Sequence, residues 1–300
     1  MGDFAVQVIG LGSMGFGMAQ SCLRAGLATC GADMNPEAEA RFAALGGQAG
    51  FASSGADKID AVVVVVLNAA QLEAVLFGPE GIVPRLREGA VVIACPTVAP
   101  SVARDLAGRC GAYGVHYLDA PISGGAAKAA EGALSIMAAG PAEAFAAARP
   151  VLDATAAKVF DLGPEPGAGS AMKAVNQLLA GVHIAVMGEA MAFGMTQGVS
   201  PAAFLEVISQ CAGTSWMLEN RAPHVIDGDY TPRSQINIWP KDLGIVLDIA
   251  REAGFSAPIT ATALQQYMVA VGMGLGAEDD AAITKVYARN AGIELPGGDD

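Results

Sequence analysis

A glycine-rich segment near the start of the chain has the spacing of a phosphate-binding turn. The segment matches G-x-G-x-x-G, follows a short apolar run that ends at Ile9, and precedes a stretch with helical spacing. The first glycine permits a tight turn, the second lets the backbone approach a pyrophosphate, and the third lets helix pack against strand. The helix N-terminus offers N–H groups and a partial positive charge to phosphates. We therefore predict a dinucleotide site at Gly10, Leu11, Gly12, Ser13, Met14 and Gly15.

An aspartate at the end of the second strand-like run indicates which dinucleotide binds. Asp33 lies 21 residues after Gly12, where a carboxylate accepts hydrogen bonds from ribose hydroxyls and repels a 2′-phosphate. The next two residues, Met34 and Asn35, offer that phosphate no positive charge. We therefore predict NAD, rather than NADP, as the cofactor.

A lysine in the second half of the chain has neighbours suited to acid–base chemistry. Asn176 and Gln177 follow Lys173 by three and four residues, so the three side chains lie near one face of a helix. Near a helix N-terminus the positive end of the dipole favours the neutral amine, as does burial, and both lower the pKa of a lysine. Such a lysine could take a proton from an alcohol or give one to a carbonyl. From the spacing alone, an ordinary exposed helix lysine is the competing interpretation.

The elements that must position these residues alternate between strand and helix in the first half of the chain. Residues 61–67 are apolar at every position, which is typical of a strand buried on both faces of a parallel sheet. A helix is predicted over residues 13–25, and strands are predicted over residues 4–9, 28–33, 61–67, 91–94, 117–120, 135–139 and 158–162. The pattern predicts the α/β class, with an N-terminal doubly wound sheet of the Rossmann type.

The second half of the chain has helical patterns throughout. A Gly-Pro-rich break at residues 163–167 is followed by a long stretch, residues 169–197, that predicts one extended helix. Later helices are interrupted at residues 198–201, 228–232 and 254–258. We therefore predict a dinucleotide-binding domain over residues 1–164, an all-α substrate and oligomerisation domain over 165–292, and a loose acidic tail over 293–300.

Composition excludes several classes of protein. The chain has 30 acidic and 17 basic side chains, a net charge of −13, which argues against binding to nucleic acid. Its longest purely aliphatic run, Ala61–Leu67, is far shorter than the roughly 20 residues that span a bilayer. The five cysteines and three histidines lack the spacings of a metal site. No basic leader precedes the first strand, so we predict a cytoplasmic protein, with its acidic residues mainly on the outer surface.

Four ordered motifs resemble the β-hydroxyacid dehydrogenase family across nearly the whole chain. The first, residues 8–15, is similar to the cofactor fingerprint of that family. The second, Asp119–Gly125 with residues 130–134 after it, is similar to the substrate-binding motif. The third, residues 167–177, carries Lys173, and the fourth is Lys241-Asp242-Leu243.

The resemblance implies a role for each matched residue. Lys173 falls on the catalytic lysine of the family, and Asn176 would orient both the substrate and that lysine. The substrate carboxylate would bind to Ser123, Gly124 and Gly125, with Gln177 also at the substrate. On the cofactor side, the resemblance implies contacts from Leu67, Asn68, Thr97 and Lys241. Pro96 replaces the usual serine before Thr97, which weakens the assignment of Thr97.

Segments outside these motifs resemble the branch of the family that acts on L-threonate. They include residues 177–185, 213–221 and 228–234. The implied reaction is NAD-dependent oxidation of L-threonate to its 2-oxo acid. The alternatives are tartronate semialdehyde or glyoxylate reduction, oxidation of 3-hydroxyisobutyrate, and, in another class, a non-catalytic NAD-binding sensor. The resemblance also implies a homodimer or homotetramer, which fits apolar residues near the end of the chain: Met268, Val269, Val271, Met273 and Leu275.

Overall fold

The structure is a computed structural model that describes residues 4–51 and 55–297. Contacts within the chain divide it into two compact units, Met1–Lys173 and Ala174–Asp300. This division falls inside the longest helix, Ala168–Thr196. The domain limits drawn from the sequence, at residues 164 and 292, stay predictions.

A six-stranded parallel sheet forms the centre of the first unit. Its strand order is β3-β2-β1-β4-β5-β6. The chain therefore adds strands on one side of β1 up to β3, and then on the other side from β4 to β6, which places the topological switch point between β1 and β4. Every described pairing in it is parallel. The strands are β1 Ala5–Ile9, β2 Ala28–Ala32, β3 Gln48–Ala49, β4 Ala61–Val64, β5 Val91–Ala94 and β6 His116–Asp119. The predicted doubly wound, Rossmann-type sheet is confirmed.

Apolar clusters cover both faces of this sheet. Val63 and Ile93 belong to one cluster, whereas Val62 and Val92 belong to the other, because successive side chains of a strand point to opposite faces. Both clusters include helix residues. The helices of this unit are α1 Ser13–Arg24, α2 Pro36–Ala44, α3 Ala69–Phe77, α4 Pro100–Gly111, α5 Gly125–Glu131 and α6 Ala142–Thr155. The continuous apolar strands are therefore explained by burial on two sides.

A second, smaller sheet in the first unit departs from the sequence prediction. The predicted strands at residues 135–139 and 158–162 do not extend the parallel sheet but form a three-stranded one, in the order β7-β8-β9. These strands are β7 Ile122–Ser123, β8 Leu134–Ala138 and β9 Ala156–Asp161. β7 pairs antiparallel with β8, whereas β8 and β9 are parallel. β3 and β7 have two residues each, too few for a periodic pattern.

The second unit is helical, as the sequence predicts. α7 Ala168–Thr196 enters it, and α8 Pro201–Ile208, α9 Trp216–Asp227, α10 Ile238–Glu252, α11 Pro258–Gly272 and α12 Thr284–Ala291 follow. Prolines stand at the first positions of α8 and α11, where the missing N–H costs nothing. Ser200 and Ser215 cap α8 and α9 through their side chains. Leu295, in the predicted loose tail, packs against the helical core, and residues 298–300 lie outside the described part.

The long helix α7 departs from the expectation that no segment of the chain is long and apolar enough to span a bilayer. By length and composition it is apolar enough to cross a bilayer, although purely aliphatic runs did not reveal it because polar residues interrupt it. Core helices pass the same test, and Ile184, Met187 and Met191 of α7 are buried in the helical core. Gly181 lies against Trp239 and Leu243, so closely that a Cβ would come within 3.0 Å of their side chains. We therefore interpret α7 as a core helix of the second unit.

Candidate functional site

The glycine-rich turn has the backbone geometry that a dinucleotide requires. Gly10 has a φ of +93°, and a Cβ there would lie 2.2 Å from the Val65 carbonyl oxygen. A Cβ on Gly15 would lie 1.8 Å from the carbonyl oxygen of Gly10, so both positions exclude any side chain. Gly12, in contrast, has no atom within 4 Å of its Cβ position. This open space lies at the N-terminus of α1, where a pyrophosphate fits.

Asp33 follows β2 and lies beside this turn. Its Oδ2 accepts a hydrogen bond of 2.6 Å from the backbone N–H of Leu11, and Oδ1 accepts one of 2.8 Å from Asn35. A carboxylate oxygen can accept more than one hydrogen bond, so Asp33 can hold the turn and still bind ribose hydroxyls. Asp33 lines a cavity of about 300 Å³ together with Leu11, Gly12, Ser13, Phe16, Asn35, Ala38 and Arg41.

Arg41 lines the same cavity as Asp33, although the sequence motifs did not single it out. It belongs to α2, and its guanidinium lies 5.0 Å from the centre of the Phe16 ring. Met34 and Asn35 bring no positive charge to Asp33, but α2 brings Arg41 to the same cavity, so the expectation that no positive charge stands near Asp33 is wrong. The position of Arg41 in the first helix after Asp33 is the sequence feature that could have indicated a positive charge near that carboxylate.

The other residues of the first unit that are predicted to contact the cofactor lie at the carboxyl edge of the sheet. Leu67 and Asn68 come after β4, and Thr97 comes after β5, as the glycine turn comes after β1. Parallel strands place such segments along one edge, where nucleotides bind in this architecture. The predicted strand over residues 61–67 ends three residues early, at Val64. Asn68 caps α3, with its Oδ1 accepting from the N–H of Gln71 at 2.9 Å.

The predicted substrate loop joins β7 to α5. Ser123 ends β7, and Gly124 and Gly125 follow with φ values of +138° and +78°. These values favour glycine because a Cβ is strained there. Gly125 is the first residue of α5, so the two glycines turn the chain and leave backbone N–H groups at the start of that helix.

Lys173 is buried beside this loop. Its Nζ donates a hydrogen bond of 2.9 Å to the carbonyl oxygen of Ile122, the residue before Ser123. The lysine is 8% exposed, so it is not the ordinary exposed helix lysine of the competing interpretation. The structure therefore brings together a buried amine and the residues predicted to bind a carboxylate.

Asp119 anchors the helix that carries Lys173. This buried residue, at the end of β6, accepts hydrogen bonds of 2.8 Å at Oδ2 from the N–H groups of Gly167 and Ser170. Its Oδ1 accepts a hydrogen bond of 2.7 Å from the Ser170 hydroxyl. Gly169 lies so close that a Cβ would be 2.5 Å from the Met137 carbonyl oxygen. The first turn of α7 is thus held at the end of the sheet.

Asp119 and Ser170 lie within the sequence motifs, but no role for either residue is evident from the sequence alone. Asp119 opens the substrate-like motif, and Ser170 stands in the third motif, three residues before Lys173. Burial raises the pKa of Asp119, although hydrogen bonds from Ser170, Gly167 and Gly169 act in the opposite direction. A carboxyl group at the start of a helix also faces the positive end of its dipole.

A second polar chain lies within the helical unit. Asn176 Nδ2 donates to Gln177 Oε1 at 2.9 Å, and Gln177 Nε2 donates to Asp242 Oδ2 at 2.5 Å. Lys241 Nζ lies 2.7 Å from the other carboxylate oxygen, Oδ1. That oxygen has no hydrogen-bond partner among the described residues, so the contact with Lys241 is an ion pair. Gln177 and Lys241 therefore meet at Asp242, a residue of the fourth motif to which the sequence gave no role, and Asn176 joins them through Gln177.

The described residues contain no group of three or more His, Cys, Asp or Glu side chains placed to hold a metal ion. His224, for example, is paired with Asp279 at 2.8 Å. Burial opposes ionisation of Asp279, but hydrogen bonds from His224, Arg233 and Ala281 together lower its pKa. This buried pair thus holds α9 to the segment before α12 in the second unit.

Comparison with known families assigns both halves of the chain. Residues 5–163 match the NAD binding domain of 6-phosphogluconate dehydrogenase. Residues 167–287 match the family described as NAD-binding of NADP-dependent 3-hydroxyisobutyrate dehydrogenase. Both matches agree with the order of the two units along the chain.

Similar proteins cover almost the entire chain. An L-threonate dehydrogenase of Cupriavidus necator is 51% identical over 294 residues, which are 97% of this chain and 98% of that protein. An L-threonate dehydrogenase of Escherichia coli K12 is 46% identical, over 98% of this chain and 97% of that protein. A solved structure described as 3-hydroxyisobutyrate dehydrogenase from Salmonella typhimurium has a TM-score of 0.89 and 47% identity. It covers 95% of this chain and 100% of its own.

Proposed function

Because the chain belongs to the β-hydroxyacid dehydrogenase family, of the type that includes 3-hydroxyisobutyrate dehydrogenase, we propose that it oxidises L-threonate to the corresponding 2-oxo acid. It is an NAD-dependent hydroxy-acid dehydrogenase. Full-length similarity to L-threonate dehydrogenases supports the choice of substrate. The observation that carries the chemistry is the buried amine of Lys173 beside the Ser123–Gly125 loop.

The loop is suited to the carboxylate of the substrate. Ser123 offers a hydroxyl, and the turn through Gly124 and Gly125 offers backbone N–H groups at the start of α5. Such groups bind an anion without a full positive charge. We assign the substrate carboxylate to this loop, which leaves the adjacent C2 hydroxyl for Lys173.

Lys173 is assigned the proton transfer. In its neutral form the amine takes the proton of the C2 hydroxyl, while the C2–H bond breaks and the C–O bond becomes a carbonyl. Bound NAD supplies the acceptor for the departing hydride. The hydrogen bond from Nζ to the Ile122 carbonyl oxygen holds the amine in place. We assign Asn176 and Gln177 to substrate positioning. Cofactor binding is assigned to the glycine turn and to Asp33, Leu67, Asn68, Thr97 and Lys241.

The decisive experiment measures NADH formation with purified protein and a panel of hydroxy acids. The panel contains both threonate enantiomers, erythronate, 3-hydroxyisobutyrate, glycerate and glycolate. We expect the highest kcat/KM with L-threonate. A higher value with 3-hydroxyisobutyrate or glycerate would assign the chain to another branch. Binding of NAD without turnover of any member would favour a non-catalytic sensor.

Substitution of Lys173 tests the mechanism. Lys173→Ala removes the amine, and Lys173→Arg keeps a positive charge that cannot deprotonate. We expect kcat to fall by about 100-fold or more in both variants, since general acid–base catalysis contributes about that much, with NAD binding unchanged by fluorescence titration. Lys158→Ala, at an exposed position of β9, is the control. A kcat close to that of the unmodified enzyme in either Lys173 variant contradicts the mechanism.

We further propose that the chain works in the cytoplasm as a homodimer or homotetramer. Exposed apolar residues recur every seven positions along α7, at Leu179, Val186 and Phe193. Two further exposed residues, Met268 and Val269, lie on α11. Val271, Met273 and Leu275, expected at the same surface, pack against the helical core instead. A second copy of the chain is the occupant that this apolar surface fits.

A further inference from the structure

The polar chain of the helical unit has a defined direction. Asp242 is 2% exposed and Gln177 is 7% exposed, whereas Asn176 is partly open. A carboxylate can only accept hydrogen bonds, so Gln177 must turn its NH₂ group toward Asp242. The amide oxygen of Gln177 then faces Asn176, which must donate through Nδ2. As a result, Oδ1 of Asn176 is the atom turned away from Gln177.

The charge of Asp242 is what sets this direction. A pair of amides without the carboxylate could rotate and exchange their oxygen and nitrogen atoms at little cost, since each carries both a donor and an acceptor. Lys241 balances the buried charge, with Nζ 2.7 Å from Oδ1 of Asp242. Burying an unpaired carboxylate would be strongly unfavourable, so Lys241 and Asp242 act together.

We propose that Asp242 is a positioning residue that makes Asn176 a hydrogen-bond acceptor for the substrate. The proposal rests on the proposed function, which assigns Asn176 to the substrate. Asn176 follows Lys173 by three residues, about 4.5 Å along the helix axis. That spacing suits a hydroxyl group next to the reacting one. Oδ1 of Asn176 accepts from the C3 hydroxyl of L-threonate while Lys173 serves the C2 hydroxyl.

Specificity for a vicinal diol follows from this arrangement. An acceptor held by a buried chain cannot turn to offer its N–H groups instead. A substrate without a donor at C3 leaves Oδ1 unpaired, and sites built to pair a hydroxyl reject analogues that lack it. Asp242 thus determines substrate choice through two intervening amides, without touching the substrate.

The first test uses the unmodified enzyme and two analogues of L-threonate. The 3-deoxy analogue lacks the C3 hydroxyl, and the 3-deoxy-3-fluoro analogue carries an atom that cannot donate a hydrogen bond. We expect kcat/KM for both to fall by at least about fivefold relative to L-threonate, the effect of losing one hydrogen bond. A fluoro analogue as good as L-threonate would overturn the proposal, because donation would then be unnecessary.

The second test changes the chain itself. Asp242→Asn removes the charge, and Gln177→Glu prevents donation to Asp242 while keeping the shape of the side chain. We expect each variant to lose most of the discrimination between L-threonate and its 3-deoxy analogue. Asp248→Asn, an exposed position on the same helix, should keep it. A purely structural defect would lower kcat/KM equally for both substrates, so an unchanged ratio in folded Asp242→Asn or Gln177→Glu overturns the proposal.

The two proposals can fail separately. If L-threonate is not the best substrate of the panel, the function is wrong, and the same comparison is made with the best substrate and its deoxy analogue. If L-threonate is the best substrate and substitution of Asp242 or Gln177 leaves the ratio of kcat/KM for L-threonate to that for its 3-deoxy analogue unchanged, only the positioning role is wrong. The analogue test needs no variant, so it tests the requirement for a donor at C3 even if Asp242→Asn does not fold, and Gln177→Glu then tests the polar chain.

Discussion

Individual carboxylates hold the backbone and side chains of the candidate site. Asp33 binds the N–H of Leu11 in the glycine turn, Asp119 binds N–H groups at the start of α7, and Asp242 binds the amide of Gln177. In each case a side-chain carboxyl oxygen accepts the hydrogen bond. The residues to which we assign the chemistry are therefore positioned by acids to which we assign no chemical step.

Cofactor preference is predicted to depend on Asp33 and Arg41. Asp33→Asn removes the repulsion of a 2′-phosphate, and Arg41 in the same cavity can then pair with that phosphate. We expect the ratio of kcat/KM for NAD to that for NADP to fall about tenfold or more, equivalent to roughly 1.4 kcal/mol. Adding Arg41→Ala should reverse much of this change. Glu37→Gln, exposed on α2, should leave the ratio unaltered, and an unaltered ratio in Asp33→Asn would refute the prediction.

Asp119 should impose a specific pH dependence on stability. Burial raises its pKa in the folded protein, so folding favours the protonated form. Its contribution to stability is complete below the ordinary carboxyl pKa of about 4 and declines as pH rises through the raised value. As the pH rises from about 4 to the raised pKa of Asp119, the free energy of unfolding of the unmodified protein should therefore decrease relative to that of Asp119→Asn. Urea unfolding at several pH values measures the difference, with exposed Asp153→Asn as control, and a difference that grows with pH contradicts the sign.

Among the elements, α7 connects the two units and carries the assigned base. Its first turn is held by Asp119, and its later turns pack through Gly181 and Gly188 against α10 and α12 of the helical unit. Small residues allow this close approach. The position of Lys173 thus depends on how tightly the start of the helix is held.

A pair of glycine substitutions tests the close packing of α7. In Gly169→Ala, the new Cβ would lie within 2.6 Å of two backbone oxygens, those of Met137 and Asp119. We expect a loss of about 1–3 kcal/mol in the free energy of unfolding, with a lower kcat because Lys173 moves. Gly244→Ala, in α10 with no atom within 4 Å, should instead gain about 0.5–1 kcal/mol. Equal effects in thermal unfolding would disprove the packing argument.

At the scale of the whole molecule, charge and apolar surface have separate roles. Four acidic residues are buried among the described ones, namely Asp119, Asp242, Asp279 and Asp280. The other described acids are at least partly exposed, in line with the expected acidic surface that keeps a protein of net charge −13 in solution. The exposed apolar residues of α7 interrupt this surface, which is why we infer self-association.

Self-association is predicted to depend on Val186 and Phe193. Phe193→Glu and Val186→Glu place a charge on the apolar stripe of α7, and burying that charge at an interface would be unfavourable. We expect light scattering to show a multiple of the 30.2 kDa chain for the unmodified protein and a lower mass for both variants. Val207→Glu, also exposed but on α8, should keep the original mass. A monomeric unmodified protein would contradict the proposed assembly.

The sequence by itself determined the features that depend on neighbouring residues. Gly10, Gly12 and Gly15 predicted the turn because backbone angles and close approach are local requirements. The apolar run at residues 61–67 predicted a buried parallel strand, and the glycines and prolines after residue 197 predicted where helices end. The motif around Lys173 was visible for the same reason, but its burial was not.

Only the tertiary structure decided contacts between residues far apart in the chain. Asp119 and Ser170 are separated by 51 positions, and Gln177 and Asp242 by 65. Arg41 reaches the Asp33 cavity through the placement of α2, and β8 and β9 form a separate sheet. Periodicity and residue type report which face of an element is buried, but not which partner covers it. Partners are selected by the packing of the folded chain, which a single sequence pattern does not encode.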